Sequence, residues 1–202
     1  MTRHPIVLLE VATGTFRDAE LLERIDDVQA KRAEDSWVTH IAAARASAAS
    51  RGEQLPKLPH EHWLWAEKVK LTHRFLPYPT FGIECEGQMQ GMMLLQTDGH
   101  YARLSSGGRA PLVYVDLLAT APWNLSEING AVRFKGIGAT LIRAAIELSL
   151  DLEFNGRIGL HALPTSEGWY DKVGLTCCGS DDQKQGMKYY ELTPEQAREF
   201  LA

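Results

Sequence analysis

Cysteine is scarce in this chain and badly placed for cross-linking. The 202 residues include three, Cys85, Cys177 and Cys178, an odd number with two adjacent, which builds no disulfide framework and supplies no CxxC-spaced zinc site. A reducing compartment, the cytoplasm, is the expectation. No apolar run approaches membrane-spanning length, and the run at residues 5–9 stops at Glu10, too short for the core of a signal peptide. Positive charge is also in deficit. Twenty-one Lys and Arg face 26 Asp and Glu, a formal charge of -5, which argues against a broad nucleic-acid surface and leaves room for a local basic site only. Neither an internal repeat nor a low-complexity linker divides the chain, so one domain with a full core is expected.

Periodicity, by contrast, is plain. Residues 6–11 are a short aliphatic run bounded by Pro5 and Thr13-Gly14-Thr15, a strand pattern. Leu21, Ile25, Val28, Trp37, Ile41, Ala44 and Ala48 then recur at helical spacing, and Asp18, Glu20 and Glu23 suit the first turns of that helix. A second helix is expected over 60–71, carrying Trp63 and Trp65. Residues 80–85 and 89–96 read as strands joined by Glu86-Gly87-Gln88 in a hairpin, and 99–109 as an exposed polar loop. The strongest strand signal is 112–120, LVYVDLLAT, apolar enough to be central in a sheet and stopped by Pro122.

The clearest helix is 137–152, where Ile137, Leu141, Ala145, Leu148 and Leu152 form an apolar stripe. A strand at 157–163, a short helix at 166–173 and strands at 174–179 and 187–192 follow, and Thr193-Pro194-Glu195 opens a last helix. This order implies an α/β fold with a mixed sheet and helices on both faces.

The chemistry concentrates in RFKGIGATLI, residues 133–142. Gly136 and Gly138, one residue apart at the start of the long helix, let the backbone turn tightly and present N–H groups, and the helix dipole adds positive potential. Arg133 and Lys135 add formal charge, so a phosphate-bearing ligand is the physical implication. The segment is no P-loop, and a dinucleotide fingerprint would need a third glycine where Leu141 stands.

Arg133, Gly136 and Gly138 match an Arg/Gln-x-x-Gly-x-Gly/Ala pattern, LATAP precedes them and SEGWYDKVGL (166–175) follows. In these motifs, and in element order over nearly its whole length, the chain resembles the GNAT superfamily of acyl-CoA-dependent N-acyltransferases. The resemblance implies an α/β fold of the α+β kind, with a mostly antiparallel mixed sheet whose central strands, 112–120 and 157–163, splay apart. It implies one domain over 1–202, with 1–110 walling the acceptor side, 111–175 forming the acyl-CoA core and 176–202 supplying terminal strands and a short helix.

Acetyl-CoA would be the cosubstrate, its pantetheine bonded to backbone at Leu118, Ala119 and Thr120. Its pyrophosphate would lie on Arg133, Lys135, Gly136, Ile137, Gly138 and Ala139. The expected activity is acetyl transfer to a primary amine of a small molecule or peptide by direct attack in a ternary complex, with Tyr170 as the acid for the departing thiolate. The alternative is a non-catalytic acyl-CoA-binding module on the same fold. No metal, nucleic acid or membrane is implied, and a homodimer is left open.

Asp116 stands in the strongest strand on the face of Tyr114 and Leu118, where a carboxylate is costly unless bonded or functional, and is the candidate base. Glu84 and Glu86 read as solvated edge carboxylates, His161 as a structural strand histidine, and Cys177 and Cys178 as strand residues rather than a nucleophile. His60, His62 and His73 lack a second ligand pair for a metal. Ten residues, 123–132, separate Pro122 from Arg133, more than the family usually has. They add Trp123, Asn124 and Glu127 beside the expected acyl group.

Overall fold

The computed structural model describes residues 2–72, 74–105 and 107–202; His73 lies outside the described residues. In chain order the elements are β1 (Thr2–Glu10), β2 (Thr15–Glu23), α1 (Asp27–Ser50), α2 (Trp65–Thr72), β3 (Thr80–Cys85), β4 (Gln88–Gln96), β5 (Val113–Thr120), α3 (Ser126–Asn129), β6 (Phe134–Lys135), α4 (Ile137–Asp151), β7 (Ile158–Ala162), α5 (Glu167–Lys172), β8 (Thr176–Asp181), β9 (Met187–Leu192) and α6 (Pro194–Leu201). Among the described residues nine strands form a mixed sheet in the order β6-β1-β2-β3-β4-β5-β7-β9-β8, flanked by helices. The chain divides into two units that interleave in sequence. Met1–Leu76, Thr80–Met93 and Leu118–Gly138 make the first, and Pro77–Pro79, Leu94–Leu117 and Ala139–Ala202 the second.

In the first unit β1 and β2 form a long hairpin, from Thr2 opposite Glu23 to Glu10 opposite Thr15. This corrects the expected helix start: Asp18, Glu20 and Glu23 lie in β2. Ala19 and Leu21 point into the core at strand spacing, whereas Glu20 pairs with Arg3 and Arg17 with Glu10 across the ladder, a cross-strand match of opposite charges. The helix begins only after Asp26. Its carboxylate accepts from the Gln29 N–H at 2.8 Å while its own N–H donates to Gln29 Oε1 at 3.1 Å, a capping box that fixes the start of α1.

The expected helix over 60–71 also shortens. Glu61 pairs with Arg45 of α1 and accepts from the Leu58 N–H at 3.2 Å, which holds the segment before Trp65 in turns. Trp37 ties this unit together, donating from Nε1 to the Met89 carbonyl at 3.1 Å and standing edge-on to Trp65 at 6.5 Å. Glu86 (φ +52°) and Gly87 (φ +71°) make a two-residue turn between β3 and β4, one residue shorter than the expected Glu86-Gly87-Gln88 connection because Gln88 already belongs to β4.

In the second unit β5 and β7 run parallel, paired from Val113–Ile158 to Val115–Leu160. The ladder ends there, although β5 continues through Asp116 and β7 through His161. On its other side β7 pairs with β9 along its full length, Ile158 opposite Leu192 to Ala162 opposite Lys188. α4 buries Leu141, Ile142, Ala145, Ile146 and Ser149 at helical spacing, and Ser149 Oγ donates to the Arg157 carbonyl at 2.8 Å. α6 opens on Thr193 with Pro194 at its first position, as the sequence predicts, and Gln196 completes a second capping box.

Candidate functional site

Of the residues expected to hold the cofactor, Leu118, Ala119 and Thr120 end β5 and Arg133 to Gly138 form the entry to α4, all in the first unit, whereas Ala139 belongs to the second. β6 lies beside β1, with Glu10 opposite Phe134 and Leu9 opposite Lys135, which buries Phe134 and exposes Lys135. Gly136 then turns the chain at φ +93°, and no atom lies within 4 Å of the place a Cβ would take. Glycine alone adopts that turn without strain. The backbone therefore passes directly from a fixed strand into the first turn of α4, whose leading N–H groups have no intrahelical acceptor. Arg133 does not aim its whole charge outward: it pairs with Glu86 of the hairpin turn, and its guanidinium carbon is 4.8 Å from the Phe134 ring centre. Lys135 is the exposed cation of the loop.

The segment between β5 and this loop is built rather than slack. Pro122–Asn124 makes a 3-10 turn and α3 follows. Gln90 is wholly buried, and its Oε1 accepts from Trp123 Nε1 at 2.7 Å and from Asn124 Nδ2 at 3.1 Å. Asn124 Oδ1 in turn accepts from the Phe134 N–H at 2.9 Å. Glu127 stays exposed, beside Ser126. Neither Gln90 nor this use of Asn124 was visible in the sequence, where residues that far apart carry no common signal.

Asp116 and Tyr170 belong to the second unit. Asp116 is half-buried on β5, with no hydrogen-bond partner among the described residues. Two residues before it on the same strand face, the Tyr114 hydroxyl donates to His161 Nδ1 at 2.8 Å, and His161 Nε2–H donates to Asp181 Oδ2 at 3.2 Å. The acceptor-only carboxylate assigns the proton to Nε2. Arg103 completes the chain, donating to Asp181 at 2.6 Å and lying over the Tyr189 ring at 3.9 Å.

Burial lowers the pKa of His161, opposed by the Asp181 carboxylate. The Arg103 guanidinium, then His161, hold Asp181 down at about 2. Burial first, then the Asp116 and Asp181 charges, pushes Tyr114 up to about 12. His161 is thus a bonded structural histidine, and the polar positions Tyr114, Asp116 and His161 share one face because strand residues alternate.

Tyr170, in α5, is 6% exposed. It packs edge-on to Trp169 at 5.1 Å and tilted against Tyr190 at 5.8 Å. Burial pushes its hydroxyl to about 12, so it is a neutral hydrogen-bond donor at any ordinary pH. Among the described residues no group of three His, Cys, Asp or Glu is placed to hold a metal ion, and no helix is long and apolar enough to cross a membrane.

Solved structures share this architecture. An aminoglycoside acetyltransferase, AAC(6')-Ib, in complex with coenzyme A and kanamycin aligns over 90% of this chain and 99% of its own at 15% identity, with a TM-score of 0.54. A tyrosine-to-phenylalanine mutant of the AtaT toxin bound to the C-terminus of the antitoxin AtaR aligns over 74% and 86%, at 15% identity and TM-score 0.50. A GNAT-family acetyltransferase from Listeria monocytogenes aligns over 85% and 94%, at 15% identity and TM-score 0.49. The fold is that of the GNAT acetyltransferases. No protein-family model matches the chain, and no curated protein matches it by sequence. At this identity the likeness carries the fold alone, and neither the activity nor the acceptor.

Proposed function

We propose that this chain is a cytoplasmic N-acetyltransferase that moves an acetyl group from acetyl-CoA to a primary amine by direct attack. The observation that carries the reading is the turn at Gly136, which leads from the paired strand β6 straight into the first turn of α4 on a GNAT fold. Unsatisfied N–H groups of Gly136 to Ala139, together with the Lys135 ammonium, suit a pyrophosphate, and the open space at Gly136 admits it close to the backbone. Leu118 to Thr120, the end of β5, are assigned to the pantetheine amides.

Direct attack needs an amine that has lost its proton, a polarised thioester and a stabilised thiolate. Asp116, half-buried and without a hydrogen-bond partner among the described residues, is assigned the amine proton. Tyr170 is assigned to the sulfur. With its pKa at about 12 against about 8.5 for an ordinary thiol, outright proton transfer from the phenol to a thiolate runs uphill. A hydrogen bond donated by the neutral phenol as charge develops on sulfur is the cheaper form of stabilisation. The acceptor is a small-molecule or peptide amine.

Calorimetry with CoA tests the reading. Micromolar binding is expected, and Gly138→Val, which sets a β-branched side chain in the first turn of α4, should abolish it without unfolding the chain. Thiol release from acetyl-CoA over a panel of amines then separates an enzyme from a binding module, because a module releases none. A wild-type chain that ignores CoA overturns the proposal.

A further inference from the structure

We infer that residues 121–132 are a brace that presets the CoA pyrophosphate loop, and that Asn124 is its positioning residue. The inference rests on the acyl-CoA reading above. Three backbone groups define the approach to Gly136. The Arg133 N–H donates to the Trp123 carbonyl at 3.1 Å, the Arg133 carbonyl accepts from the Val11 N–H at 2.9 Å, and the Phe134 N–H donates to Asn124 Oδ1 at 2.9 Å. Only the last of these acceptors is a side chain, and it acts on the residue two before the turn.

Asn124 is 7% exposed, and its amide is locked end for end: Nδ2 faces Gln90 Oε1, so Oδ1 must face Phe134. Gln90 cannot swing away. Its Nε2 donates to the Cys85 and Gln88 carbonyls, both at 3.2 Å, and its Oε1 also holds Trp123. A continuous run of bonds thus leads from the β3–β4 hairpin through Gln90 and Asn124 to the strand that opens the loop. The brace is anchored on its far side too. Asn129 Nδ2 donates to the Pro122 carbonyl at 2.7 Å, its Oδ1 lies 3.0 Å from His40 Nε2 of α1, and the His40 ring stands edge-on to Trp123 at 5.5 Å.

Phe134 is 2% exposed, so without Asn124 its N–H would have neither a partner nor water. The strand would shift to relieve that, and the first turn of α4 would move with it. A ligand held on preset N–H groups loses affinity in proportion to the fraction of chains that keep the preset form.

The test is Asn124→Leu, which keeps the side-chain bulk and removes both bonds. Far-UV circular dichroism and a thermal melt establish that the variant is folded at the assay temperature, where lost global stability leaves a dissociation constant unchanged. The expected result is about tenfold weaker CoA by calorimetry, with the affinity for S-acetylpantetheine, titrated by NMR, held within about a factor of two, because that fragment carries no phosphate. Equal CoA affinity in the folded variant, or equal losses for both ligands, overturns the inference while leaving the acyl-CoA reading intact. A wild-type chain that binds no CoA overturns both.

Amide hydrogen exchange on the unaltered protein gives a reading that needs no variant. The Phe134 amide should already exchange slowly in the free protein, and CoA should leave it unchanged while slowing the amides of Gly136 to Ala139. Fast exchange at Phe134 in the free protein overturns the brace.

Discussion

One added methyl group tests how closely β7 is packed. A Cβ at Gly159 would stand 2.4 Å from Tyr189 Oη, 3.1 Å from its Cζ and 3.2 Å from Leu112 Cδ2. Ordinary contact begins near 3.4 Å, so in Gly159→Ala the hydroxyl must retreat by about 1 Å. Tyr189 has little freedom to do so: it is 4% exposed, tilted against His161 at 4.9 Å and covered by Arg103. Forcing a carbon into so full a site costs about 1–3 kcal/mol. For a chain of this size the middle of that range corresponds to a fall of about 4–8 °C in Tm.

The same geometry predicts a coupling. Tyr189→Phe removes the offending oxygen, at a cost of up to about 1 kcal/mol on its own. In the double variant the methyl group meets a ring edge instead of a hydroxyl, so the combined loss should fall short of the sum of the single losses by about 1 kcal/mol. Thermal and denaturant melts of the four proteins measure this cycle. A Gly159→Ala chain that melts with the wild type, or a cycle that closes additively, would falsify the packing described for this face.

On the chemistry, Tyr170→Phe should leave CoA affinity unchanged and lower kcat at least about tenfold, the loss of one hydrogen bond to a developing charge; wild-type kcat at every pH would make Tyr170 a packing residue. Asp116→Asn should lower kcat about a hundredfold with CoA affinity unchanged, and an unchanged kcat removes Asp116 from the proton path. On stability, His161 is held below its ordinary 6.5, chiefly by burial, and Asp181 below 3.8 at about 2, chiefly by Arg103. Both contribute stability above their unfolded values and lose it as pH falls through their folded ones. Tm should therefore drop as pH goes from 6.5 towards 2, and a His161→Gln variant should show a shallower decline above pH 4. A wild-type Tm that is flat from pH 7 to 4 would contradict the neutral, bonded state of His161.

Where a segment's own periodicity decides its structure, the sequence is enough. LVYVDLLAT specifies β5 without help from the rest of the chain, and the expected stripe specifies α4 up to its last turn, where Leu148 is half-buried and Leu152 lies exposed beyond Asp151; Thr193-Pro194-Glu195 marks the start of α6. β2 fails that test. Leu21 and Leu22 are adjacent and both buried, which hides the strand alternation, and Leu21 falls in phase with Ile25 and Val28 as a helix would require. Pairing with β1 on one side and β3 on the other settles it as a strand, and neither partner can be weighed from within the segment. The start of α2 depends likewise on Arg45 reaching Glu61 from a different helix.

The candidate site divides along the same line. Gly136 is a local requirement of a turn into a helix, so the sequence carries it openly, whereas Gly138 lies within the first turn of α4 and has no positive φ. The ten residues ahead of Arg133 look in the sequence like an ornament on a shorter family connection. Ordering a residue costs about 1–2 kcal/mol of backbone entropy, so a connection that did nothing would be left exposed. This one buries Asn124 and Ile128 and places Trp123 and Asn124 on the buried amide of Gln90. Those contacts offset the ordering only if the segment holds one conformation, and in that conformation its polar end is bonded to Phe134, two residues before the turn at Gly136. The segment is therefore tied to the geometry of the loop, and a deletion of residues 123–132 would remove the acceptors of both the Arg133 and the Phe134 N–H groups.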